Sequence, residues 1–359
     1  MSILLAFIFS LLVIPSRSQT TGISSLPEKA EPGLFESDQI LDITLKGNIR
    51  QILNDREGKA KKYPVELTYT SEDSTKNSIQ IEVKTRGHFR RQMGNCTFPP
   101  LLLTFSTIRG SSSSFFPSLT SLKLVMPCQG EEFIVHEWLV YKLYNLITSQ
   151  SFRVRLVRVK LADSKNKRMP SPFYGILLEN ENQMAKRNNM VIIKKKMRPD
   201  QTMQPSFLKM AVFEYLIGNT DWSVEFLQNI KLIASDSTAE AIAVPYDFDL
   251  SGIVNAPYAK PAPELELSSV RERRYRGYCL KDWTLLDSTR TFYKRIKNEI
   301  YQLYSDCPLI DAKYKKQTLE YLDDFYSVIE DPKMLKNEFG YPCNPKGTGN
   351  VIIKGLRDD

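Results

Sequence analysis

The chain has 359 residues, of which 42% are hydrophobic and 25% charged, and it carries a formal net charge of +8. That composition excludes collagen-like, low-complexity and intrinsically disordered classes, and it leaves material for one large domain or two moderate ones. The excess of Lys and Arg suits an anionic partner (phosphate, a nucleotide or an acidic surface) or serves solubility alone.

Residues 3–15, ILLAFIFSLLVIP, form an apolar run too short to span a membrane comfortably. Small residues follow, with Ser18 ahead of Gln19, so residues 1–18 read as a secretory signal peptide. No Lys or Arg precedes the run, and an uncleaved N-terminal anchor is the alternative. The expected product is exported (secreted, periplasmic or at the cell surface), with no further membrane span. Residues 19–37, rich in Ser, Pro, Glu and Gly, read as a flexible lead-in.

From Ile40 the pattern becomes β. ILDITLKG alternates, NIRQILND suits a short helix, and YPVELTYT and SIQIEVKTRG are two strands around a polar turn. PPLLLTFS and LTSLKLVMP continue the strands, with GSSSSFFPS a loop between them. The period then changes, and the apolar spacing predicts a helix near 131–148. FRVRLVRVKLAD and FYGILLEN are strands joined by a polar loop. After MVIIKKKM the chain becomes mostly helical. Pro205 opens a helix that Gly218 ends, and the strands NIKLIA and AIAVPYD form a hairpin. Two amphipathic helices are expected over 291–306 and 312–331. The layout is α+β in two lobes, a β-rich lobe over 38–200 and a mainly helical lobe over 201–359.

Of five cysteines, Cys96 and Cys128 flank neighbouring strands and are the expected bridge. With no CxxC pair and only His88 and His136, the sequence argues against a structural zinc site. No GxSxG elbow accompanies those histidines, which argues against a serine hydrolase.

The polar residues concentrate at one hairpin. GNTDWSVEFLQN (218–229) precedes it and VPYDFDLSG (244–252) leaves it. The hairpin returns Asn229 and Asp247 to neighbouring positions, with Asp221 close to both. An Asn and an Asp at adjacent strand ends suit Mg²⁺, which prefers hard oxygen ligands. Asp221 then suits the carboxylate that orients an acceptor hydroxyl in phosphoryl transfer. Asp249 is a second metal ligand or a cap. Each of these residues alone is also a common turn former. Upstream, Lys123 on a strand and Glu137 on the following helix suit a phosphate-binding pair, or else are separate exposed residues. Arg86 lies in a basic turn, KTRGHFRRQ (84–92), whose Gly87 lets main-chain N–H groups approach phosphate. VRERRYRGYC (270–279) is a dense basic cluster, read as a solvated face or a grip for an acidic partner.

These segments resemble the spore coat protein H (CotH) kinase-like family. The parts that carry the likeness are TRGHFRRQMGNCTFPPLLLTF, SLKLVMPC, EWLVYKLYN, SFRVRLVRV, YLIGNTDWS, QNIKLI and VPYDFDLSG. The last three also resemble the corresponding loop of HipA-type kinases. The resemblance implies a two-lobed protein-kinase-like fold and an ATP-dependent, Mg²⁺- or Mn²⁺-requiring enzyme that phosphorylates Ser or Thr of secreted or envelope proteins. It implies Asp221 as the catalytic aspartate, Asn229 and Asp247 as metal ligands, and, by chain order, Lys123 and Glu137 as the phosphate lysine and its partner. The sequence departs from the family pattern at Gln228, where a His usually precedes the metal Asn. A catalytically inactive relative acting as a surface or envelope binding protein is the alternative.

Overall fold

The computed structural model describes residues 33–71, 74–105, 116 and 119–345. The expected signal peptide, most of the lead-in and the loop over 110–118 lie outside the described residues, Phe116 excepted.

Largely alternating sequences make seven strands, each with apolar side chains toward the barrel interior. They are β1 (Leu41–Gly47), β2 (Tyr63–Thr70), β3 (Lys76–Thr85), β4 (Leu101–Phe105), β5 (Ser121–Val125), β6 (Val154–Asp163) and β7 (Phe173–Leu178). They close into a barrel in the order β1-β2-β3-β4-β5-β7-β6. Every pairing is antiparallel except that of β1 with β6, which is parallel and sets Leu41 against Val157 and Leu45 against Leu161. Inward side chains such as Leu45, Leu67, Val83, Leu103, Leu124 and Val159 fill the interior as one cluster.

This closure overturns the two-lobed kinase-like fold expected from the sequence. A β-rich lobe with an open sheet keeps two unpaired edges. Here β6 bonds to β7 on one side and to β1 on the other, so the edges join and the barrel has none. In place of a second lobe there are a three-stranded sheet and seven of the eight described α-helices around a separate core, while the helix Ile49–Asn54 packs its Ile49 and Ile52 into the barrel cluster.

β6 and β7 serve both cores. Val157, Val159 and Leu161 face the barrel interior, whereas Val154 and Leu156 join the second core with helix α2 (Glu132–Ile147). Helix α1 (Ile49–Asn54) and the short α3 (Glu181–Arg187) lie before the small sheet of β8 (Val191–Ile193), β9 (Ile230–Ala234) and β10 (Ile242–Pro245). That sheet, ordered β10-β9-β8, draws strands from both sides of position 200. Helix α4 (Gln204–Ile217) is apolar nearly all round and correspondingly buried, the signature of a central helix. The amphipathic helices α5 (Thr284–Arg295), α6 (Lys297–Ser305), α7 (Ala312–Glu330) and α8 (Pro332–Phe339) complete this half. The first of the two helices expected there is two, broken at Ile296.

Disulfides join Cys96 to Cys128 and Cys279 to Cys343, and Cys307 is a buried free thiol. Among the described residues no helix is long and apolar enough to cross a membrane.

Candidate functional site

Helix α4 stops at Gly218, which adopts φ +66. A Cβ there would sit 2.1 Å from the Tyr321 hydroxyl, so the turn has neither the conformation nor the space for a side chain. Buried Asn219 then organises the loop. Its side-chain oxygen accepts from the Asp221 N–H at 3.1 Å, and its carbonyl accepts from the Trp222 indole at 3.2 Å. Ser223 and Gln228 exchange main-chain hydrogen bonds, both of 3.0 Å, and close the loop on itself.

Asp221 and Asn229 meet across that closure. The Asn229 amide nitrogen donates to the Asp221 carbonyl at 2.8 Å and to its carboxylate at 2.9 Å. The Gln228 side-chain amide donates to the other carboxylate oxygen. Position 228, where the resembled family usually has His, thus holds a neutral donor to Asp221.

The hairpin brings Asp247 alongside. Pro245 pairs with Ile230, and the Tyr246 N–H donates to the Asn229 carbonyl at 3.0 Å. Asn229 and Asp247 both take the left-handed backbone conformation, at φ +51 and +68. For residues other than Gly this is uncommon, and it persists where surroundings over-determine it. Those surroundings are the Tyr141 hydroxyl of α2, which accepts from the Asp247 N–H at 2.9 Å, and Phe248, packed on Tyr141 and Phe213.

The remaining candidates separate into two groups. Asp249 is buried, accepts from the Tyr258 hydroxyl at 3.0 Å and lies 3.5 Å from the Arg90 guanidinium. Arg90, from the basic turn, also lies 3.6 Å from Glu137 and donates to the Met126 carbonyl at 2.8 Å. Glu137 therefore has Arg90 as its ion partner, not Lys123. Lys123 is half-buried, 4.8 Å from the centre of the Tyr246 ring, which Lys231 approaches to 5.6 Å. Arg86 and Lys231 repel the Lys123 charge, and Asp247 attracts it.

Electrostatics tie these groups together. Burial raises the Asp221 carboxyl and the Asp247 charge raises it further. Burial likewise pushes Glu137 well up, reinforced by Asp249 and opposed by Arg90. Burial lowers the Lys123 ammonium to about 8, with Arg86 adding to the effect. Asp247 acts on Asp221, Asp249, Glu137, Arg90 and Lys123 alike, which makes it the common neighbour of the cluster.

Among the described residues no three His, Cys, Asp or Glu side chains gather closely enough to hold a metal ion. Asp249 is committed to Arg90 and Tyr258, so the donor set reduces to Asn229 and Asp247. Two hard oxygen donors fit a cation such as Mg²⁺, which takes one or two protein ligands and completes its shell with water and phosphate oxygens. Two cavities, of about 700 and 430 Å³, lie elsewhere: one is lined by Phe133, Pro257 and Val270, the other by Tyr215, Arg274 and Glu338.

Sequence reasoning passed over Arg90, Tyr141, Tyr246 and Lys231. The basic turn was visible, but nothing in it distinguishes the arginine that turns inward. No protein-family model matches the chain, and no curated protein matches it.

Proposed function

We propose that the chain transfers the γ-phosphoryl group of ATP to a Ser or Thr hydroxyl of an exported protein, with Mg²⁺ or Mn²⁺. The observation that carries the reading is the meeting of Asp221, Asn229 and Asp247 at one hairpin end, two of them held in an uncommon backbone conformation. Such a convergence of an amide and two carboxylates is what phosphoryl transfer asks of its loops. The resemblance to spore coat protein H kinase-like proteins supports the chemistry of those loops and carries nothing about a two-lobed fold.

Asn229 and Asp247 would hold the cation, which when bound neutralises charge on the phosphates. Asp221 orients the acceptor hydroxyl and receives its proton as the new O–P bond forms and the bond from the γ-phosphorus to ADP breaks. Its own orientation is fixed by Gln228 and Asn229, a preorganisation that costs nothing at the moment of reaction. Lys123, half-buried, offers a cation to the phosphates, with Arg86 and Lys231 adding positive field. Two disulfides agree with an exported address, because such bonds persist in oxidising compartments.

Purified protein incubated with labelled ATP and Mg²⁺ or Mn²⁺ is expected to label itself or a generic acceptor, and Asp221→Ala to abolish the label. Equal label in wild type and variant, or none in either with both metals, overturns the reading.

A further inference from the structure

The basic stretch 270–279 is a strap laid along the helical half, with its arginines spent on main chain. Arg271 donates to the Gly252 and Gln317 carbonyls, Arg273 to those of Leu216 and Tyr321, and Arg274 to the Leu265 carbonyl and the Tyr341 hydroxyl. Within 271–276 only Glu272 is exposed. Arg276 differs from the others in its target. One guanidinium nitrogen donates to the carbonyls of Thr220 and Trp222, the residues on either side of Asp221, the latter at 3.3 Å. Three residues further on, Cys279 is bonded to Cys343, which anchors the end of the strap.

We propose that Arg276 is a positioning residue for Asp221, gripping the main chain on both sides of it while Gln228 and Asn229 hold its side chain. The functional half of this inference rests on reading Asp221 as the acceptor-orienting group; the clamp itself does not. The two N–H groups of that one nitrogen suffice for both carbonyls, and a guanidinium keeps its charge on burial where the ammonium of lysine readily loses it. Burial lowers the Arg276 guanidinium to about 10 against the pull of Asp221, so it stays cationic at neutral pH. Without it, two carbonyls lose their donor and the loop main chain has one tether fewer.

The test compares Arg276→Met and Arg276→Lys with Arg274→Met, which loosens the same strap away from the loop. Hydrogen exchange of a peptide covering 219–229 and steady-state kinetics are the two readouts. Arg276→Met is expected to speed exchange in that peptide and to lower kcat on the order of a hundredfold, as small misplacements do, with KM for ATP unchanged. Arg276→Lys is expected to recover part of both losses. Arg274→Met is expected to lower thermal stability and leave exchange at 219–229 as in wild type. Unchanged exchange in Arg276→Met, or an equal change in Arg274→Met, overturns the clamp. If the wild type transfers no phosphoryl group, that failure belongs to the proposed activity, and exchange alone decides the clamp.

Discussion

Replacing Arg90 by Met removes the one cation that, among the described residues, Glu137 and Asp249 share. Both acids are buried, at 1% and 7% exposure, and the Met126 carbonyl loses its 2.8 Å donor as well. Breaking a buried pair by deleting one partner costs about 3–5 kcal/mol. The two ion contacts are long, at 3.5 and 3.6 Å, and Arg90 Nε and Glu137 Oε1 have no hydrogen-bond partner among the described residues, which places the loss at the low end, near 3 kcal/mol. At about 2 °C per kcal/mol for a large domain, the melting temperature should fall by roughly 6 °C at pH 8. The sign of the pH dependence follows from Glu137. Its carboxyl is already raised in the folded state, and removing Arg90 raises it further. A raised acid binds its proton more tightly folded than unfolded, so stability is lost as pH rises from the ordinary carboxylate range. The deficit should therefore shrink as pH falls from 8 to 5. Thermal and urea melts across that range measure it. Adding Glu137→Gln and Asp249→Asn should recover much of the loss, because the stranded charges are then gone. A deficit under about 1 kcal/mol at pH 8, or no recovery in the triple variant, would refute the reasoning.

The other predictions concern separate groups. Glu214, buried in α4 and raised well above the ordinary range by that burial, makes Glu214→Gln more stable than wild type by a margin that grows from pH 4 to pH 8; a constant margin in urea melts counts against it. Lys123 loses its charge as pH rises through about 8, so KM for ATP should climb above that pH and stay flat in Lys123→Arg, as initial-rate titrations will show. Loss of the Cys279–Cys343 bridge, which spans 64 residues, should cost about 4 kcal/mol in denaturant melts of Cys343→Ser, with Cys307 replaced by Ala in both proteins to prevent thiol exchange.

Local structure was the legible part of the sequence. Alternation marked the barrel strands, Pro205 and Gly218 bounded α4, and the hairpin that carries Asn229 and Asp247 followed from turn chemistry between two apolar runs. The Cys96–Cys128 bridge was also expected from the strands it flanks. Barrel closure was not legible, because β1 and β6 are more than a hundred residues apart and parallel pairing leaves no turn between them to read. Nor was the fate of the charges. A run of arginines looks the same whether it meets solvent or carbonyl oxygens, yet Arg90 is buried between two acids and Arg276 grips the loop around Asp221. Asp249 stands two residues from Asp247, but it faces Arg90 and Tyr258. Two positions in a turn separate a carboxylate beside Asn229 from one paired with Arg90, and composition does not record it.

The most direct test of the central claim is a crystal structure with a non-hydrolysable ATP analogue and Mn²⁺, read by anomalous scattering. The account predicts a manganese peak bridging the Asn229 side-chain oxygen and an Asp247 carboxylate oxygen, with the triphosphate beside Lys123. A peak bound elsewhere, or a nucleotide seated away from Asp221, would contradict it.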